Sequence, residues 1–492
     1  MISFKRVVLL VFCLLLCLAC IGCSKEENKY LAESLTVTVT AETIAELENY
    51  TQLKTLDLSG STCYDAIMDY IAAHPEVAVK YTVQVDDLVV GSEQAHIEIS
   101  EDNYAEKLID FSNYLPNVKS IKITESYTSA ELVRAVSAAF PKASLEYSVD
   151  ILGTPVASDT THLDLSSLQK EQLPVVLSAL EMLPELQYVD LGGESTEDGA
   201  IGFEEVGMLQ QKFDAVVFDF DFTLFELEFS TADEIMDLNH IVMTDRGEAV
   251  KAVLPYMTEC RYLDMDSCRV PHEDMAAIRD AYPDIKVVWR INFGNIYSVR
   301  TDVERILASV KGEYLTGASV ENLKYCTDVK YIDLGHNIIN DISFVSYMPN
   351  LEVAVLSINY WTDASPLANC PKLEYLEIFN TNCKDISALA NCTELRHLNI
   401  SWLDGLTDIT PIYGLTKLER LWIGWKTPIP AEQVERFKEL VPGCEVNTVD
   451  NPTEGGWRNG ERYELLCEQM GYNDSAYSFP SNDPKYYAQP RE

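Results

Sequence analysis

The carboxyl-terminal third of the chain alternates apolar and polar residues in a short phrase that returns at a fixed interval. The segments VKYIDLGHN, LEVAVLSIN, LEYLEIFNT, LRHLNISWL and LERLWIGWK begin at residues 329, 351, 373, 395 and 418, so the interval is 22 residues with one step of 23. A period of two predicts a short β-strand with one apolar face. A D-[IA]-[ST] triplet follows each of the first four phrases, at Asp341, Asp363, Asp385 and Asp408, and predicts a turn.

A repeat of 22 residues is too short to enclose a core of its own. Stacking neighbouring repeats buries the apolar face of every strand, and the strands then form one parallel sheet. The pattern LxxLxLxxN followed by DIxxL resembles the leucine-rich repeats of bacterial surface proteins, in particular the 22-residue repeats of internalins. The resemblance implies an α/β solenoid, a leucine-rich repeat horseshoe with a parallel concave sheet and with helices or irregular segments on the convex side. The asparagine is replaced in several repeats, so we expect an imperfect ladder there.

The same strand phrase returns upstream at longer intervals, as LKTLDLSG at 53, VKSIKITE at 118, LQYVDLGG at 186 and CRYLDMDS at 260. Amphipathic helices follow, for instance over 65–74 and 130–140. An alternating strand comes next, with an aromatic marker at Tyr81, Tyr147, Phe218 or Trp289. We predict long, irregular leucine-rich-like modules of about 65 to 75 residues over 32–310, 22-residue repeats over 311–449, and a C-terminal cap or tail over 450–492 with a helical patch at 462–470.

The amino-terminal residues have the layout of a secretory signal. Lys5 and Arg6 precede an uncharged run of 17 residues that ends at Cys23. The end of this run, ACIGCS at 19–24, resembles the bacterial lipoprotein signal, in which a cysteine is lipidated after cleavage. We predict a lipoprotein signal peptide over 1–22, lipidation of Cys23 and a short linker over 23–31, with Cys20 as the second choice. An uncleaved anchor is the alternative, although a bilayer needs about 20 apolar residues.

Composition and charge limit the partners of the protein. The 492 residues exceed the roughly 250 to 300 at which a single core stops growing, so several domains or a repeat array are required. Lys and Arg total 37 against 78 Asp and Glu, and the net charge of −41 excludes nucleic acid as a partner. We expect the membrane to be contacted through the N-terminal lipid only. The predicted location is the extracellular face of the cell membrane of a Gram-positive bacterium.

Candidate catalytic chemistry is limited to one motif. The segment VVFDFDFTL at 216–224 resembles the DxDxT signature of haloacid dehalogenase phosphatases, in which Asp219 would be the nucleophile, Asp221 the acid and base, and both would hold magnesium. Both aspartates, however, fall on the polar face of a strand with a period of two. A repeat array also offers no doubly wound sheet for the remaining residues of that family. We therefore predict that the chain is not an enzyme.

No metal site or cofactor is expected either. The seven histidines lack the spacing of metal ligands. Cys326, Cys370 and Cys392 recur at multiples of 22 residues, which indicates one repeated, buried core position for a small apolar side chain rather than a disulfide or zinc framework.

The repeat register assigns the residues of the solvent-facing side of the sheet. The residues between the leucines of LxxLxLxx point away from the core. This column is mostly acidic upstream, where we favour a solvated strand edge, and it becomes aromatic over the last three repeats. Aromatic residues and arginine are the side chains that usually anchor interfaces. The predicted ligand-binding residues are Tyr331, Asp333, Tyr375, Glu377, Phe379, His397, Asn399, Trp402, Arg420, Trp422 and Trp425.

The sequence thus favours a lipid-anchored recognition or adhesion protein that binds a protein, peptide or glycan partner through its concave face. The main alternative is a structural spacer or assembly subunit of the envelope. A phosphatase-like enzyme that uses Asp219 and Asp221 is less favoured. Varied aromatic residues on one face favour binding, because a spacer requires only uniform polar columns.

Overall fold

A computed structural model describes residues 29–100, 102–124, 127–308, 313–472 and 489–490. The predicted signal segment, Cys23 and most of the predicted linker lie outside the described residues. The chain divides into two compact units. One comprises the described residues up to Asp190 together with Thr196–Ile201 and Phe213–Val216, and the other comprises Leu191–Ser195, Gly202–Lys212 and the described residues from Val217 onward.

The first unit is built from short parallel strands that alternate with helices and hairpins. Its strands are β1 (Ser34–Thr36), β2 (Thr55–Asp57), β3 (Ala78–Lys80), β4 (Thr82–Val85), β5 (Leu88–Gly91), β6 (His96–Ile99), β7 (Ser120–Ile123), β8 (Ser144–Glu146), β9 (Ser148–Ile151), β10 (Thr154–Ala157), β11 (His162–Asp164) and β12 (Tyr188–Gly193), which crosses the boundary. Its helices are α1 (Tyr64–Ala73), α2 (Asp102–Ile109), α3 (Ala130–Ala139) and α4 (Leu173–Leu180). Strands β1–β2–β3 and β6–β7–β8 form parallel sheets, whereas β4–β5 and β9–β10 are antiparallel hairpins.

The second unit begins with the same arrangement. It contains α5 (Phe203–Lys212), the hairpin β13 (Val217–Leu224) and β14 (Leu227–Ser230), β15 (Ile235–Asp237), α6 (Glu248–Val253), β16 (Tyr262–Asp264), α7 (His272–Ala281), β17 (Lys286–Val288), and the hairpin β18 (Arg290–Phe293) and β19 (Tyr297–Arg300). Strands β15–β16–β17 pair in parallel. This order of parallel strands, helix and hairpin defines the long modules.

A parallel sheet of seven strands follows in the second unit. Its strands are β20 (Arg305–Leu307), β21 (Tyr331–Asp333), β22 (Val353–Val355), β23 (Tyr375–Glu377), β24 (His397–Asn399), β25 (Arg420–Trp422) and β26 (Glu445–Asn447). The helices that accompany and follow it are α8 (Gly317–Val320), α9 (Ala431–Leu440) and α10 (Gly460–Met470), and β27 (Gln489–Pro490) pairs with β19. This is the predicted leucine-rich repeat architecture, and the sheet begins one strand before the predicted start of the 22-residue repeats.

The strands of this sheet pair in the predicted register. Asp333 is paired with Val355, Val355 with Glu377, Glu377 with Asn399, and Asn399 with Trp422. The residue between the two outward positions is fully buried in β20–β25, as Leu376 and Leu398 illustrate, and partly buried in β26, where it is Val446. The column of outward residues inferred from the sequence is therefore a real column of adjacent side chains.

The turns between repeats are fixed by the recurring aspartates. Oδ1 of Asp341, Asp363, Asp385 and Asp408 accepts the backbone N–H two residues further on, each at 2.8 Å. Each bond leads into a 3₁₀ helix, and these helices are Ser343–Tyr347, Ser365–Asn369, Ser387–Asn391 and Thr410–Ile412. Because the carboxylate satisfies a donor that the helix leaves open, the D-[IA]-[ST] triplet predicts this turn for a physical reason.

Buried asparagines connect adjacent repeats. Asn359 Nδ2 donates to three backbone carbonyls at 2.9 to 3.2 Å, and its Oδ1 accepts the Ile339 N–H at 2.9 Å. Asn337 makes the equivalent contacts one repeat earlier. Thr381 and Leu403 occupy the position in the next two repeats, so the ladder is imperfect, as predicted.

The aromatic marker of each long module is held by a hydroxyl residue that follows its hairpin. Ser92, Ser158, Thr231 and Thr301 accept the N–H of Tyr81, Tyr147, Phe220 and Trp289 at 3.0 to 3.2 Å. The equivalent of Tyr81 is therefore Phe220, and the prediction of Phe218 is wrong by two residues. A shift of two keeps a side chain on the same face of a strand. Alternation in the sequence could not distinguish these two buried phenylalanines.

In every module a side chain also donates a hydrogen bond to the backbone carbonyl at the end of the next helical turn, although the donor differs between modules. The pairs are Tyr81 Oη to Tyr114 O and Tyr147 Oη to Met182 O, each at 2.7 Å, then Gln210 Nε2 to Tyr256 O at 2.7 Å and Arg279 Nη1 to Tyr325 O at 3.4 Å. Phe220 lacks a hydroxyl, so Gln210 on α5 replaces it. In the module of Trp289, Arg279 on α7 has this role.

Six cysteines of the described residues are buried: Cys260, Cys268, Cys326, Cys370, Cys383 and Cys392. Burial raises the pKa of the thiols of Cys326, Cys370 and Cys392 to about 12. They are small core residues at one repeated position, as predicted.

The asparagine ladder makes a prediction about stability. Asn359→Ala leaves buried backbone groups without partners, and each such group costs about 1 to 3 kcal/mol. We expect the free energy of unfolding to fall by about 3 kcal/mol in chemical denaturation followed by circular dichroism. Asn391→Ala, at an exposed position that ends a 3₁₀ helix, should change it by less than about 0.5 kcal/mol. Equal losses in the two variants would contradict a structural role for the ladder.

Candidate functional site

We call the outward-facing side of β20–β26 the sheet face. Seven of the predicted ligand-binding residues on and beside it are buried rather than solvent-exposed: Asp333, Tyr375, Glu377, Phe379, His397, Asn399 and Trp422. Tyr331, Trp402 and Arg420 are partly buried, and Trp425 is 45% exposed. The expectation of an open surface was therefore wrong, although the register was right. The segment predicted to be a C-terminal cap or tail covers this face.

That segment, residues 448–472, is called the C-terminal arm. It leaves β26 through a turn in which Asn447 Oδ1 accepts the N–H groups of Val449 and Asp450 at 3.1 and 3.0 Å. The backbone then passes so close to Gly424 that a Cβ there would lie 2.4 Å from Asp450 O. Only glycine allows this approach. Gly455 and Gly456, with φ of 65° and 90°, change the chain direction before Trp457.

The arm packs on the sheet face through an apolar cluster that is separate from the main core. Trp457 lies against the rings of Tyr375 and Trp422, with centroids 5.4 and 5.2 Å apart. Leu466 and Met470, one turn apart on α10, join the same cluster together with Leu307, Val353 and Val355 of the sheet. The helical patch predicted at 462–470 is thus the amphipathic helix of the arm, beginning two residues earlier.

Two carboxylates of the sheet face bind side chains of the arm. Glu377, only 1% exposed, accepts the Trp457 Nε1–H at 2.7 Å through Oε1 and the Arg458 guanidinium at 3.2 Å through Oε2. Asp333 accepts a hydrogen bond from the Tyr472 hydroxyl. Burial raises the pKa of the Asp333 carboxyl, and burial together with Asp333 raises that of Tyr472 well above its ordinary value. These contacts select particular side chains of the arm.

Three other residues of the sheet face bind the backbone of the arm. Asn399 Nδ2 donates to Pro452 O at 2.7 Å, Trp422 Nε1 to Glu454 O at 3.1 Å, and Arg420 Nη1 to Trp457 O at 3.1 Å. The Arg420 guanidinium also lies over the rings of Trp422 and Trp457, at 4.7 and 5.1 Å from their centroids. Contacts to carbonyls are available to any peptide, whatever its side chains.

His397 lies in an unfavourable position under the arm. It is 2% exposed, and its ring nitrogens have no hydrogen-bond partner among the described residues. Glu419 Oε2 is 3.7 Å from Nε2, beyond hydrogen-bond range. Burial, with the nearby cations of Arg462, Arg420 and Arg396, lowers the pKa of His397 from 6.5 to about 3. The imidazole is therefore neutral beneath the docked arm.

The accessible part of the predicted site is a pair of tryptophans beside the covered face. The rings of Trp402 and Trp425 meet edge to face with centroids 6.3 Å apart, and Lys426 Nζ lies 5.1 Å from the Trp402 centroid. Both backbones are left-handed, with φ of 52° and 49°. Asn380 and Ile358 adopt the same conformation one and two repeats before Trp402, so this turn, rather than the strand, positions both indoles.

The acidic column of the upstream modules has a local structural role. Oδ1 of Asp57, Asp164, Asp237 and Asp264 accepts the N–H two residues further on at 2.9 to 3.0 Å, where each strand ends. Arg300 is 2.9 Å from Asp264, and Arg290 is 2.6 Å from Asp266. The aspartates thus terminate strands, which supports the interpretation of a strand edge.

The dehalogenase-like motif lies within the β13–β14 hairpin. Asp221 is opposite Ser230 in the antiparallel ladder, and the Ser230 hydroxyl donates to Asp219. Phe218, Phe220 and Phe222 are buried on the other face. The alternation of an amphipathic strand therefore accounts for the motif. Within the described ranges, no group of three or more His, Cys, Asp or Glu is arranged to hold a metal ion.

Sequence reasoning missed the residues of the arm itself, above all Trp457, Arg458 and Tyr472. Two signals could have indicated them. Aromatic and arginine residues are concentrated just after an acidic and aromatic column, and Tyr463, Leu466 and Met470 have the three- and four-residue spacing of an amphipathic helix.

No family model matches the chain, and no curated protein matches it in sequence. Solved structures that resemble it include two from Listeria monocytogenes. Internalin C2 is 26% identical, with 28% of this chain and 60% of that one covered and a TM-score of 0.25. An internalin, InlF, is 14% identical, with 85% and 82% covered and a TM-score of 0.25. A leucine-rich repeat protein of Leptospira interrogans is 14% identical, with 84% and 95% covered and a TM-score of 0.21.

The chain spans 60% of the length of internalin C2. The parallel strand pairing and the 22-residue repeat geometry of this chain define its leucine-rich repeat fold. Among the helices of the described residues, none has the length and apolarity to span a membrane.

The buried histidine predicts how pH acts on the arm. We expect release of the arm to return the pKa of His397 from about 3 to its ordinary value of 6.5, so protonation of His397 opposes docking increasingly as pH falls from 6.5 toward 3. At pH 5 linkage predicts that it weakens docking by about 30-fold. Asp333, whose pKa is raised on docking, acts in the opposite direction.

Comparison with His397→Gln isolates the histidine. We expect ¹⁹F NMR of 5-fluorotryptophan-labelled protein, with the Trp457 resonance assigned by Trp457→Phe, to report more arm release between pH 7 and pH 5 in the parent than in His397→Gln. Identical titrations of the two proteins would exclude His397 as the cause.

Proposed function

We propose that this protein is a bacterial cell-surface recognition protein whose sheet face binds a peptide segment of a protein partner. The observation that carries the proposal is that this face already holds a peptide, the C-terminal arm. Donors from Asn399, Trp422 and Arg420 to backbone carbonyls support peptide binding in general. The carboxylates of Glu377 and Asp333 support selection among peptides.

Within the expected partner classes, these contacts favour a protein or peptide over a glycan. Side chains of the sheet face donate hydrogen bonds to backbone carbonyls at three positions along the arm. Any peptide presents such carbonyls in its backbone. The predicted residues Tyr331, Tyr375, Phe379, His397, Trp402 and Trp425 belong to the same proposal. Trp402 and Trp425 are accessible beside the docked arm and are therefore proposed as the first contact.

We also propose that the protein is attached to the outer face of the membrane by lipid on Cys23. Support comes from the charged start, the apolar run and the ACIGCS segment of the amino terminus. The strong negative charge of the remaining chain disfavours direct adsorption to anionic lipid.

The anchor is tested by substitution of the lipidated residue. Cys23→Ala should abolish incorporation of labelled palmitate and either release the protein from the membrane fraction or leave it uncleaved, because the acyl chain has no attachment site. Cys20→Ala is the matched control and should keep the label. Labelling that persists in Cys23→Ala and disappears in Cys20→Ala would move the site to Cys20.

Recognition is tested by selecting peptides from a random displayed library on the purified chain carrying Cys23→Ala. We expect enriched peptides that bind Glu377→Gln and the Trp402→Ala, Trp425→Ala double variant at least about tenfold more weakly, since interface energy is concentrated in a few anchors. Val175→Ala, at an exposed position of the first unit, is the control and should bind as the parent does. Enriched peptides that bind all variants equally would place recognition elsewhere.

A further inference from the structure

We infer that the C-terminal arm is an intramolecular ligand of the sheet face, and that the partner of this face is a peptide with an indole and a guanidinium on adjacent residues, which displaces the arm. This inference rests on the proposed function and specifies its partner and its regulation.

The repeats do not need the arm to complete their main core. That core extends from Phe222 to Val441 and contains the inward residues of the strands, whereas Trp457, Leu466 and Met470 belong to the separate cluster on the other side of the sheet. The arm therefore covers a face that stacking of the repeats leaves open. A segment of this kind can leave without removing the inward layer.

The chemistry of the bound arm identifies what the face recognises. Glu377 binds two adjacent residues at once, the indole N–H of Trp457 and the guanidinium of Arg458. The indole enters the apolar cluster between Tyr375 and Trp422. A buried carboxylate beside two aromatic rings needs hydrogen-bond donors from a side chain that is otherwise apolar, and a positive charge nearby. An indole followed by a guanidinium on the next residue supplies both. The Tyr375 hydroxyl also donates to Glu377, so an acidic peptide would leave this carboxylate with that one donor and without a cation.

The fit of the arm is incomplete, which is why a partner can replace it. Both ring nitrogens of His397 and the Nη2 of Arg462 are buried without a hydrogen-bond partner among the described residues. Groups in this state lose hydration without compensation. Glu377 and Asp333 are also removed from water when the arm docks. A partner that makes the contacts of the arm and also supplies a hydrogen bond to His397 would bind this face more tightly than the arm does.

Covalent attachment compensates for the imperfect fit. A tethered ligand acts at an effective concentration on the order of millimolar, so it excludes free peptides of equal affinity. The arm thus keeps the face closed against weak ligands and admits a partner only when that partner binds substantially more tightly. Weakening the arm should open the face to its own sequence supplied in trans.

The test uses a fluorescent synthetic peptide of residues 451–472 and the intact chain carrying Cys23→Ala, measured by fluorescence anisotropy. The double variant Trp457→Ala, Arg458→Ala weakens the arm and should bind this peptide at least about tenfold more tightly than the parent. Addition of Glu377→Gln to the double variant should reverse most of that gain. A control peptide with alanine at positions 457 and 458 should bind the double variant at least about tenfold more weakly than the unaltered peptide does.

A second variant displaces the arm without substituting Trp457 or Arg458. Gly424→Ala places a methyl group where the arm backbone passes, so it should also increase peptide binding over the parent. Circular dichroism and thermal unfolding verify that each variant is folded. Peptide binding that is no tighter in the arm variants, or that does not depend on Glu377, would overturn the inference and make the arm a permanent part of the fold.

Two further outcomes distinguish failure of this inference from failure of the proposed recognition function. Concentration-dependent dimers of the parent in light scattering that Glu377→Gln disrupts would identify a second copy as the occupant and contradict a separate partner. If the peptide binds as expected while library selection yields nothing dependent on the sheet face, the arm is an intramolecular ligand but the proposed recognition function fails.

Discussion

The structure depends on one constraint, which is that a 22-residue repeat cannot bury the apolar face of its own strand. Stacking solves this for the inward face, where leucines and isoleucines pack against a layer of 3₁₀ helices. The aspartate at the start of each turn and the asparagines between repeats satisfy the backbone groups that stacking would otherwise leave open. The same stacking places the outward residues of consecutive strands side by side, so a second face is built whether or not anything covers it.

The arm resolves the exposure of that second face. Trp422 and Tyr375 would otherwise form an apolar patch together with Val353 and Val355, and the arm covers this patch with Trp457 and α10. Arg458 of the arm also pairs with Glu377 of the sheet face, so the contact is specific as well as apolar. The same contact leaves a buried, neutral histidine and desolvated carboxylates. Docking of the arm therefore combines favourable packing with unfavourable electrostatics, a balance that a partner or a change of pH can alter.

The sequence was sufficient for what is local or periodic. Strand register, the D-[IA]-[ST] turns, the imperfect ladder and the buried repeat cysteines all follow from residues within one repeat or its neighbour. Phe218 was predicted where the structural equivalent is Phe220. Alternation determines which face of a strand a side chain lies on, but it does not determine which residue of another module is equivalent to it. The cover over the predicted site was out of reach for a different reason. Glu377 and Arg458 are 81 residues apart, and Asp333 and Tyr472 are 139 apart, so no repeat period relates them.

The central claim is that the arm is docked on the sheet face in the intact protein. Hydrogen–deuterium exchange of the native chain, resolved by mass spectrometry, tests it most directly, because the amides of α10 are protected only while the helix is held against the sheet. The account predicts that peptides covering 463–470 exchange at least about 100-fold more slowly than the free synthetic arm under the same conditions. Exchange at the rate of the free peptide, with the strands of the repeats still protected, would contradict it.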